Sequence, residues 1–540
     1  MSDVGPEIVF GLVGAIGADL DLIEAALRDA LGTVNYRCET IKVSKLMREL
    51  KSPPWTELSD ETEYKRYITH IKGGNALRRG LERGDALAML AVGAIREARL
   101  QIGGDSDKPL QRQTYILKSL KHPSEVKSLR SIYGPSFFLV AAYSPREIRK
   151  RNLAHRLASS EYSLQTDQFF DKAEELMKTD ESERDKDEYG QNVRDTFPVA
   201  DFFVDASQPE QAKNSVKRMV ELIFESEIHT PSRDEFGMFH AQAAALRSAA
   251  LGRQVGATIT TCDGDIVAVG TNEVPRAGGG LYWFEDQPDK RDFKLGYETS
   301  DRLKRRVLGD LIRRMKDRQW LVKEKQESSV QQLIEEAFGE KSSSLMKGSH
   351  LVNSIEYFRA VHAEMAAIVD AARRGVAIQK GFLFTTTFPC HDCAKHIVAA
   401  GIQRVVYIEP YPKSLAPELY LDSIAIDQPR SDESERGAGV TGFVRFDSFV
   451  GVAPRQYMDL FVMGERKTKT GDVAAADRMS VIPRFAKDLP PKLVILVKEN
   501  QEFNRFQEHL RAKLAQIEAP SKNPQGDVLQ IKKPEVKSGS

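Results

Sequence analysis

Four residues have the types and spacing needed to hold a metal ion and move a proton. In "VHAEMAAIVDAARRG" (361–375) His362 and Glu364 stand two residues apart at the head of an alanine-rich helical pattern, and in "TTTFPCHDCAKHIVAAG" (385–401) Cys390 and Cys393 follow Pro389. Zinc takes thiolate and imidazole ligands in a tetrahedron, and a reactive site keeps one of the four positions for water. His362, Cys390 and Cys393 supply the other three. The two cysteines lie one helical turn apart, and the proline ahead of them favours a helix start. If His362 also opens its helix, two positive helix ends face the ion and favour thiolate. Glu364 is not needed as a ligand and can instead carry the proton of the water. A lone histidine at a helix start is usually a cap and a lone C-x-x-C is often structural or redox, so the joint pattern carries the reading. The remaining cysteines, Cys262 in a hairpin turn and Cys38 far upstream, read as small buried residues.

The elements around these residues have an α/β pattern. The histidine helix comes first, then an apolar strand, "GFLFTTTF", then the cysteine helix. Upstream, "RQVGATITTCDGDIVAVGTNEVP" holds two alternating runs joined at Asp263-Gly264, a hairpin signal. Residues 285–356 form a charged, helix-prone insertion. Its main helix, "TSDRLKRRVLGDLIRRMKDRQWL", has Thr299 or Ser300 available as cap, and Leu303, Val307, Leu308, Leu311 and Met315 as a buried stripe, so its basic residues read as a solvated face before phosphate contacts. Downstream come a strand at "RVVYIEP", a helix around "APELYLDSIAI" and a strand at "GVTGFVRF".

The first part of the chain opens with a strand running into a glycine turn, "EIVFGLVGAIG", and a helix, "DLDLIEAALRDALG". Further strands are expected at "RCETIKV", "QTYILKSL", "SFFLVAAY" and "ADFFVDA", with helical segments such as "NALRRGLERGDALAMLAVGAIREARL" between them. "KTDESERDKDEYGQN" reads as a solvated loop or helix face. We divide the chain into residues 1–230, residues 231–480 and a C-terminal extension, 481–540, whose Pro, Lys, Ser and Gly-rich tail reads as disordered from about residue 518.

A chain of 540 residues exceeds one ordinary core. Basic and acidic side chains number 78 each, which removes any global attraction to nucleic acid or an anionic membrane. Four cysteines, two of them in C-x-x-C, argue against a secreted disulfide framework and for a reducing cytoplasm. The opening residues have no basic leader, and no apolar run is long enough to span a bilayer, so no membrane association is expected.

H-x-E followed by P-C-x-x-C is the signature of zinc-dependent nucleobase deaminases. The stretches "RQVGATI", "GTNEVP", "HAEMAAI" and "TTTFPCHDCAKHIVAAGIQRVVYIEPYPKS" resemble the deoxycytidylate branch of the cytidine deaminase superfamily, and the F-P-C phrase differs from the E-P-C of tRNA adenosine deaminases. With "ILKSLKHPSEVKSLRSIYG" and "YGQNVRDTFPVADFFVDAS" included, the chain up to about residue 465 resembles the bacterial anti-phage dCTP deaminases. The resemblance implies a P-loop-kinase-like three-layer domain fused to a cytidine-deaminase-like α/β/α domain. It implies zinc on His362, Cys390 and Cys393, Glu364 as proton shuttle, and hydrolytic deamination of dCTP, and of dCMP, that drains the nucleotide pool during infection. Asn272, with Ala363 beside the histidine, would contact the substrate, although Asn272 also reads as a turn residue and is followed by Glu273 instead of the usual glycine. A homo-oligomer is implied as well.

The glycine loop "GLVGAIGADL" departs from G-x-x-x-x-G-K-[ST]: after Gly17 come Ala18 and Asp19 where the lysine and the hydroxyl residue would stand. That excludes brisk phosphoryl transfer and makes Asp19 a helix cap. Gly11, Gly14 and Gly17 remain candidates for a loop whose backbone amides hold a nucleotide effector, with Arg130 and "PREIRKRNLAHR" lending charge or forming only a solvated helix face. Two other functions compete with the free-nucleotide deaminase. A polynucleotide cytidine or adenosine deaminase would share the zinc signature and use the basic helix at 302–318. A nucleotide-sensing antiviral scaffold would not require catalysis.

Overall fold

Successive residues of the first strand point to opposite sides, and both sides are apolar, which requires a sheet covered on both faces. A computed structural model describes residues 5–50, 58–186, 188–339, 344–346, 349–411, 413–427, 442–464, 466–473, 478–487 and 492–518. Strands β1 (Ile8–Gly14), β2 (Arg37–Lys42), β3 (Gln113–Lys118), β4 (Phe137–Tyr143) and β5 (Phe202–Asp205) are mutually parallel, in the order β5-β4-β1-β3-β2. Ile8, Phe10 and Leu12 pack with helices Leu20–Gly32 and Pro209–Phe224 on one side. Val9 and Val13 pack with helices Ala86–Gly103 and Pro123–Tyr133 on the other.

The second sheet contains the strands around the metal-ligand motif. These are β6 (Gly256–Thr260), β7 (Ile266–Thr271), β8 (Phe382–Thr387), β9 (Arg404–Glu409), β10 (Ile424–Ile426) and β11 (Val444–Ser448), in the order β10-β11-β9-β8-β6-β7. The hairpin β6–β7 is antiparallel, as its Asp263-Gly264 turn predicts, and β8, β9, β11 and β10 run parallel. Helix Ala363–Arg374 lies on one face, and helix Arg233–Ala245 on the other. The first approaches closely because position 270 is glycine: a Cβ there would lie 2.1 Å from the Ala363 carbonyl oxygen.

The two sheets share a core. Leu383 faces the core under the histidine helix, whereas Phe382 and Phe384 join Met238, Ala241, Val406 and Phe449 in the cluster that also holds Val9, Leu117 and Phe203 of the first half. A final strand, β12 (Gly451–Val452), pairs antiparallel with β5, so residues after the second sheet complete the first. Helix Lys492–Glu518 returns to helices Ala86–Gly103 and Pro123–Tyr133, burying Phe506. The tail expected from about residue 518 lies almost wholly outside the described residues.

Several local expectations are corrected. The long helical segment at 75–100 is two helices, Glu63–Gly80 and Ala86–Gly103, parted where Glu82 takes φ 51° and Arg83 pairs with Asp85. "APELYLDSIAI" is a one-turn helix, Ala416–Leu419, followed by β10. The basic helix spans Thr299–Asp317 with no side-chain cap, and Ser300 is buried in its first turn. Its buried face is Lys304, Leu308 and Ile312, while Val307 and Leu311 are exposed. Much of "KTDESERDKDEYGQN" lies in helix Phe170–Lys186, and within that stretch Asp180 and Gln191 are buried. Cys262 is exposed in its turn and Cys38 half-buried, so neither is a core residue.

Candidate active site

Both metal-ligand segments are helix starts. Cys390 caps helix His391–Ala399, its sulfur accepting the Cys393 amide at 3.4 Å, and His362 is the cap residue of helix Ala363–Arg374. The cap position leaves each side chain outside its helix and turned toward the other, with two positive helix ends behind them. The backbone ahead of His362 is fixed by paired hydrogen bonds between Val361 and Glu273. The His362 Nδ1 atom is 3.2 Å from the Cys390 Sγ and 3.5 Å from the Cys393 Sγ.

Ligand atoms on a tetrahedral zinc ion at ordinary bond lengths sit about 3.6 Å apart, so this trio fits one ion and leaves one position open. In the protein without the ion, the bond to Cys390 pushes His362 up to about 9. Cys390, helped first by the Cys393 thiol and also by His362, is held as a thiolate, while Cys393 stays a thiol. Glu364 is buried, with its Oε2 3.5 Å from the Cys393 Sγ, and burial, followed by the Cys390 charge, pushes its carboxyl up to about 7. A carboxyl placed beside the ligand trio is within reach of the open position and can both accept and donate a proton there.

His362, Glu364 and Cys390 line a cavity of about 480 Å³. Ala363 and Asn272 line it too. Asn272, however, is engaged with the backbone, its Oδ1 accepting from Val255 N and its Nδ2 donating to the Arg253 carbonyl, both at 2.7 Å. The Glu273 carboxylate turns inward and accepts from Ala249 N and Val274 N, so it bears on the turn and on the segment ahead of His362. Other lining residues received no individual role from the sequence: Arg194, Arg253, Phe358, Tyr411 and Lys413. Arg194 is nearly 170 residues from His362 in the chain, and only the fold brings it here.

The glycine turn lies elsewhere, at the carboxyl end of β1. Gly11 is inside the strand, Gly14 ends it, and only Gly17 is in the turn, at φ 88° and packed against the Arg149 backbone. Asp19 caps the following helix, accepting from Asp21 N and Leu22 N. The Ile16 amide already donates to the buried Asp180 carboxylate at 2.9 Å, and the Gly14 carbonyl accepts from Lys121. Beside the turn, at the carboxyl ends of β1, β2 and β3, is a second cavity of about 420 Å³ lined by Lys42, Lys45, Lys118, Lys121 and Arg156 among others. Arg130 does not reach it; it is paired with Asp201.

Residues 231–409 match the cytidine and deoxycytidylate deaminase zinc-binding region, and zinc is the cofactor of that region. The chain is 37% identical over 83 residues to the deoxycytidylate deaminase of Enterobacteria phage T2, covering 15% of this chain and 37% of that one. It is 32% identical over 113 residues to a probable deoxycytidylate deaminase of Drosophila melanogaster, covering 20% and 53%. The chain thus spans between about a third and a half of the length of these relatives. The dCMP deaminase of cyanophage S-TIM5, solved with dCMP and dUMP, aligns at 18% identity and a TM-score of 0.21 over 41% of this chain and 99% of that one.

Proposed function

We propose that this chain is a zinc-dependent hydrolase that converts free deoxycytidine nucleotides, dCTP and dCMP, to deoxyuridine nucleotides and ammonia. The observation that carries the reading is the buried Glu364 beside the His362–Cys390–Cys393 cluster in a nucleotide-sized cavity. Zinc, when bound, supplies a water acidic enough to act as nucleophile near neutral pH. Glu364 takes a proton from the attacking water and delivers it to N3 of the cytosine as the oxygen adds to C4. It then takes the remaining proton from the hydroxyl now on C4 and passes it to the exocyclic amine, the C4–N4 bond breaks as the C4 carbonyl forms, and ammonia leaves. Asn272 is read as shaping the cavity floor through the backbone more than as a direct ligand, since both its polar ends are engaged.

In the same reading, residues 1–230 form a P-loop-kinase-like domain without phosphoryl-transfer activity, and the enzyme depletes dCTP during phage infection in the cytoplasm as a homo-oligomer. The central β1, flanked by β3 and β4 where the chain reverses direction across the sheet, supports a ligand crevice at the carboxyl strand ends. The cavity of about 420 Å³ lies there and is assigned to a nucleotide effector, which would have to share Lys118, Lys121 and Arg156 with the carboxylates of Asp21, Asp180 and Asp19 and would not use the Ile16 amide. A polynucleotide substrate gains no support from the basic helix, where Arg305 pairs with Glu335 and Arg314 with Asp310.

The test offers the zinc-loaded protein dCTP, dCMP, CTP, deoxycytidine and a cytosine-containing single strand, and measures ammonia and uracil product, with Glu364→Ala as control. Conversion of dCTP or dCMP that vanishes in the control supports the reading. Conversion of the strand alone transfers it to nucleic-acid editing, and phage protection that survives Glu364→Ala transfers it to a scaffold.

A further inference from the structure

The two cavities have a stretch of chain in common. Gln191 lines the cavity at the carboxyl ends of β1, β2 and β3, and Arg194 lines the cavity at the metal-ligand cluster. Three residues of backbone span at most about 11 Å, so the two side chains leave the main chain at nearly the same place.

The Gln191 end is tied to the wall of its cavity. Its backbone amide donates to Asn75 Oδ1 at 2.9 Å, its side-chain amide donates to the Asp180 carboxylate, and the next amide, of Asn192, donates to the Lys121 carbonyl at 2.7 Å. Asp180 is buried and gathers two more partners, the Ile16 amide of the glycine turn at 2.9 Å and the Lys121 ammonium at 3.7 Å. Asp180, Lys121 and Gln191 are therefore one connected set in the wall of the first cavity.

The Arg194 end cannot yield independently. Asn192 caps helix Val193–Thr196 by accepting the Asp195 amide at 3.1 Å, and the Thr196 hydroxyl donates back to the Asn192 carbonyl at 2.6 Å. Val193 sits in the shared core and Thr196 is fully buried. A close-packed interior transmits a displacement instead of absorbing it, so a shift of Gln191 reaches Arg194.

We propose that Gln191–Arg194 is a regulatory strut between the cavities: a ligand in the first that draws the Lys121 ammonium from Asp180 alters the hold on Gln191 and, through it, the place of Arg194 in the wall of the second. The chemistry that competes with a carboxylate for an ammonium is anionic, and a nucleotide phosphate supplies it. The strut rests on the effector and deaminase readings above and adds the element by which one site acts on the other. Its two arrangements are Lys121 on Asp180 and Lys121 on the ligand, and the ligand biases the second cavity only as far as it favours one of them. The coupling is reciprocal, so a ligand in the second cavity changes affinity in the first by the same factor.

The experiment is a double-mutant cycle in full-length, zinc-loaded protein. Gln191→Ala and Arg194→Ala are made singly and together, and Asp180→Asn, which releases the Lys121 ammonium as the ligand would, is made in both the wild-type and the Arg194→Ala background. For each, kcat and KM for dCMP and dCTP are measured beside zinc content and melting temperature. Gln191→Ala and Asp180→Asn are each expected to change kcat/KM about two- to thirty-fold with zinc retained, and to lose that effect once residue 194 is alanine. A substitution that only loosens the fold keeps its effect in the Arg194→Ala background, so equal effects in the two backgrounds overturn the strut, as does no effect in either. The cycle contains no effector and is therefore independent of the nucleotide assignment of the first cavity. If the wild-type protein converts neither substrate, the deaminase reading fails separately, and the same cycle is read in dCMP affinity by calorimetry. Non-additive effects on that affinity uphold the strut, and additive effects or absent binding overturn it.

Discussion

Glu364 is a carboxylate buried next to thiol ligands, which is costly unless the group is used. Glu364→Gln keeps the shape and removes the proton carrier. Turnover should fall by about 10²- to 10⁴-fold with zinc content and melting temperature preserved, as metal analysis and calorimetry would show. Cys393→Ala should act differently: the ion is lost or weakened, and with it both activity and the stabilisation that zinc gives, so chelation should no longer lower the melting temperature as it does in the wild type. A Cys393→Ala protein that retained stoichiometric zinc would remove this residue from the ligand set. These residues were legible in the sequence because the chemistry is local: a cap histidine with a glutamate two residues on, and two cysteines one turn apart. The place of Arg194 and Arg253 in the same cavity was not, because it depends on tertiary placement. The reading of Asn272 as a turn residue is the one its hydrogen bonds support, since the side chain pins Val255 and Arg253.

At the scale of elements, strands were easier to read than breaks between helices. Apolar runs bounded by turns mark β1 to β9, whereas the break at residues 81–85 follows from Arg83 pairing with Asp85 and from Gly84 lying against His122, contacts no window of sequence contains. His122 itself makes a testable cap. Its Nδ1 accepts the Ser124 amide at the start of helix Pro123–Tyr133 and its Nε2 meets the Glu188 carbonyl, an arrangement that requires the neutral ring protonated on Nε2. Burial, with the Arg78 charge, lowers its pKa, against Glu188, Glu125 and Asp85. The folded value lies below the unfolded one, so the contribution is complete above about pH 6.5 and is lost as pH falls through the folded value. His122→Asn, which caps without titrating, should flatten the fall in denaturation midpoint between pH 7 and pH 5; an unchanged slope would remove His122 as its source. The C-terminal helix gives a second case. Arg99 bonds Glu499 of that helix at 2.7 Å and Glu7 before β1 at 2.8 Å, all in buried or nearly buried positions. Arg99→Met leaves Glu7 without a cation and Glu499 with only Arg96, 3.7 Å away, and should cost about 3–5 kcal/mol, with proteolysis within 492–518 as the first sign of release.

At the scale of the molecule, nothing in the sequence announced that the two halves share one interior, because each half carries enough apolar residues for a core of its own. The structure joins them through Phe203 of β5 and Phe449, whose rings meet edge to face at 5.6 Å, and through β12 pairing with β5. Charges join them too: Arg455 and Gln456 bind the buried Asp201, whose other oxygen accepts the Leu139 amide. A boundary near residue 230 therefore divides the chain in sequence but not in packing. If packing governs cooperativity, heating should unfold both sheets in one transition, followed alike by fluorescence and by loss of zinc. Phe449→Ala removes an aromatic ring from the shared interior and should lower stability by about 3–5 kcal/mol while moving both signals together. Two separate transitions, with zinc release unaffected by the substitution, would mean that the second half stands alone and that the contact is only a docking surface. One transition would explain how Arg194, a side chain of the first half, is held in the lining of the cavity that contains Glu364 of the second.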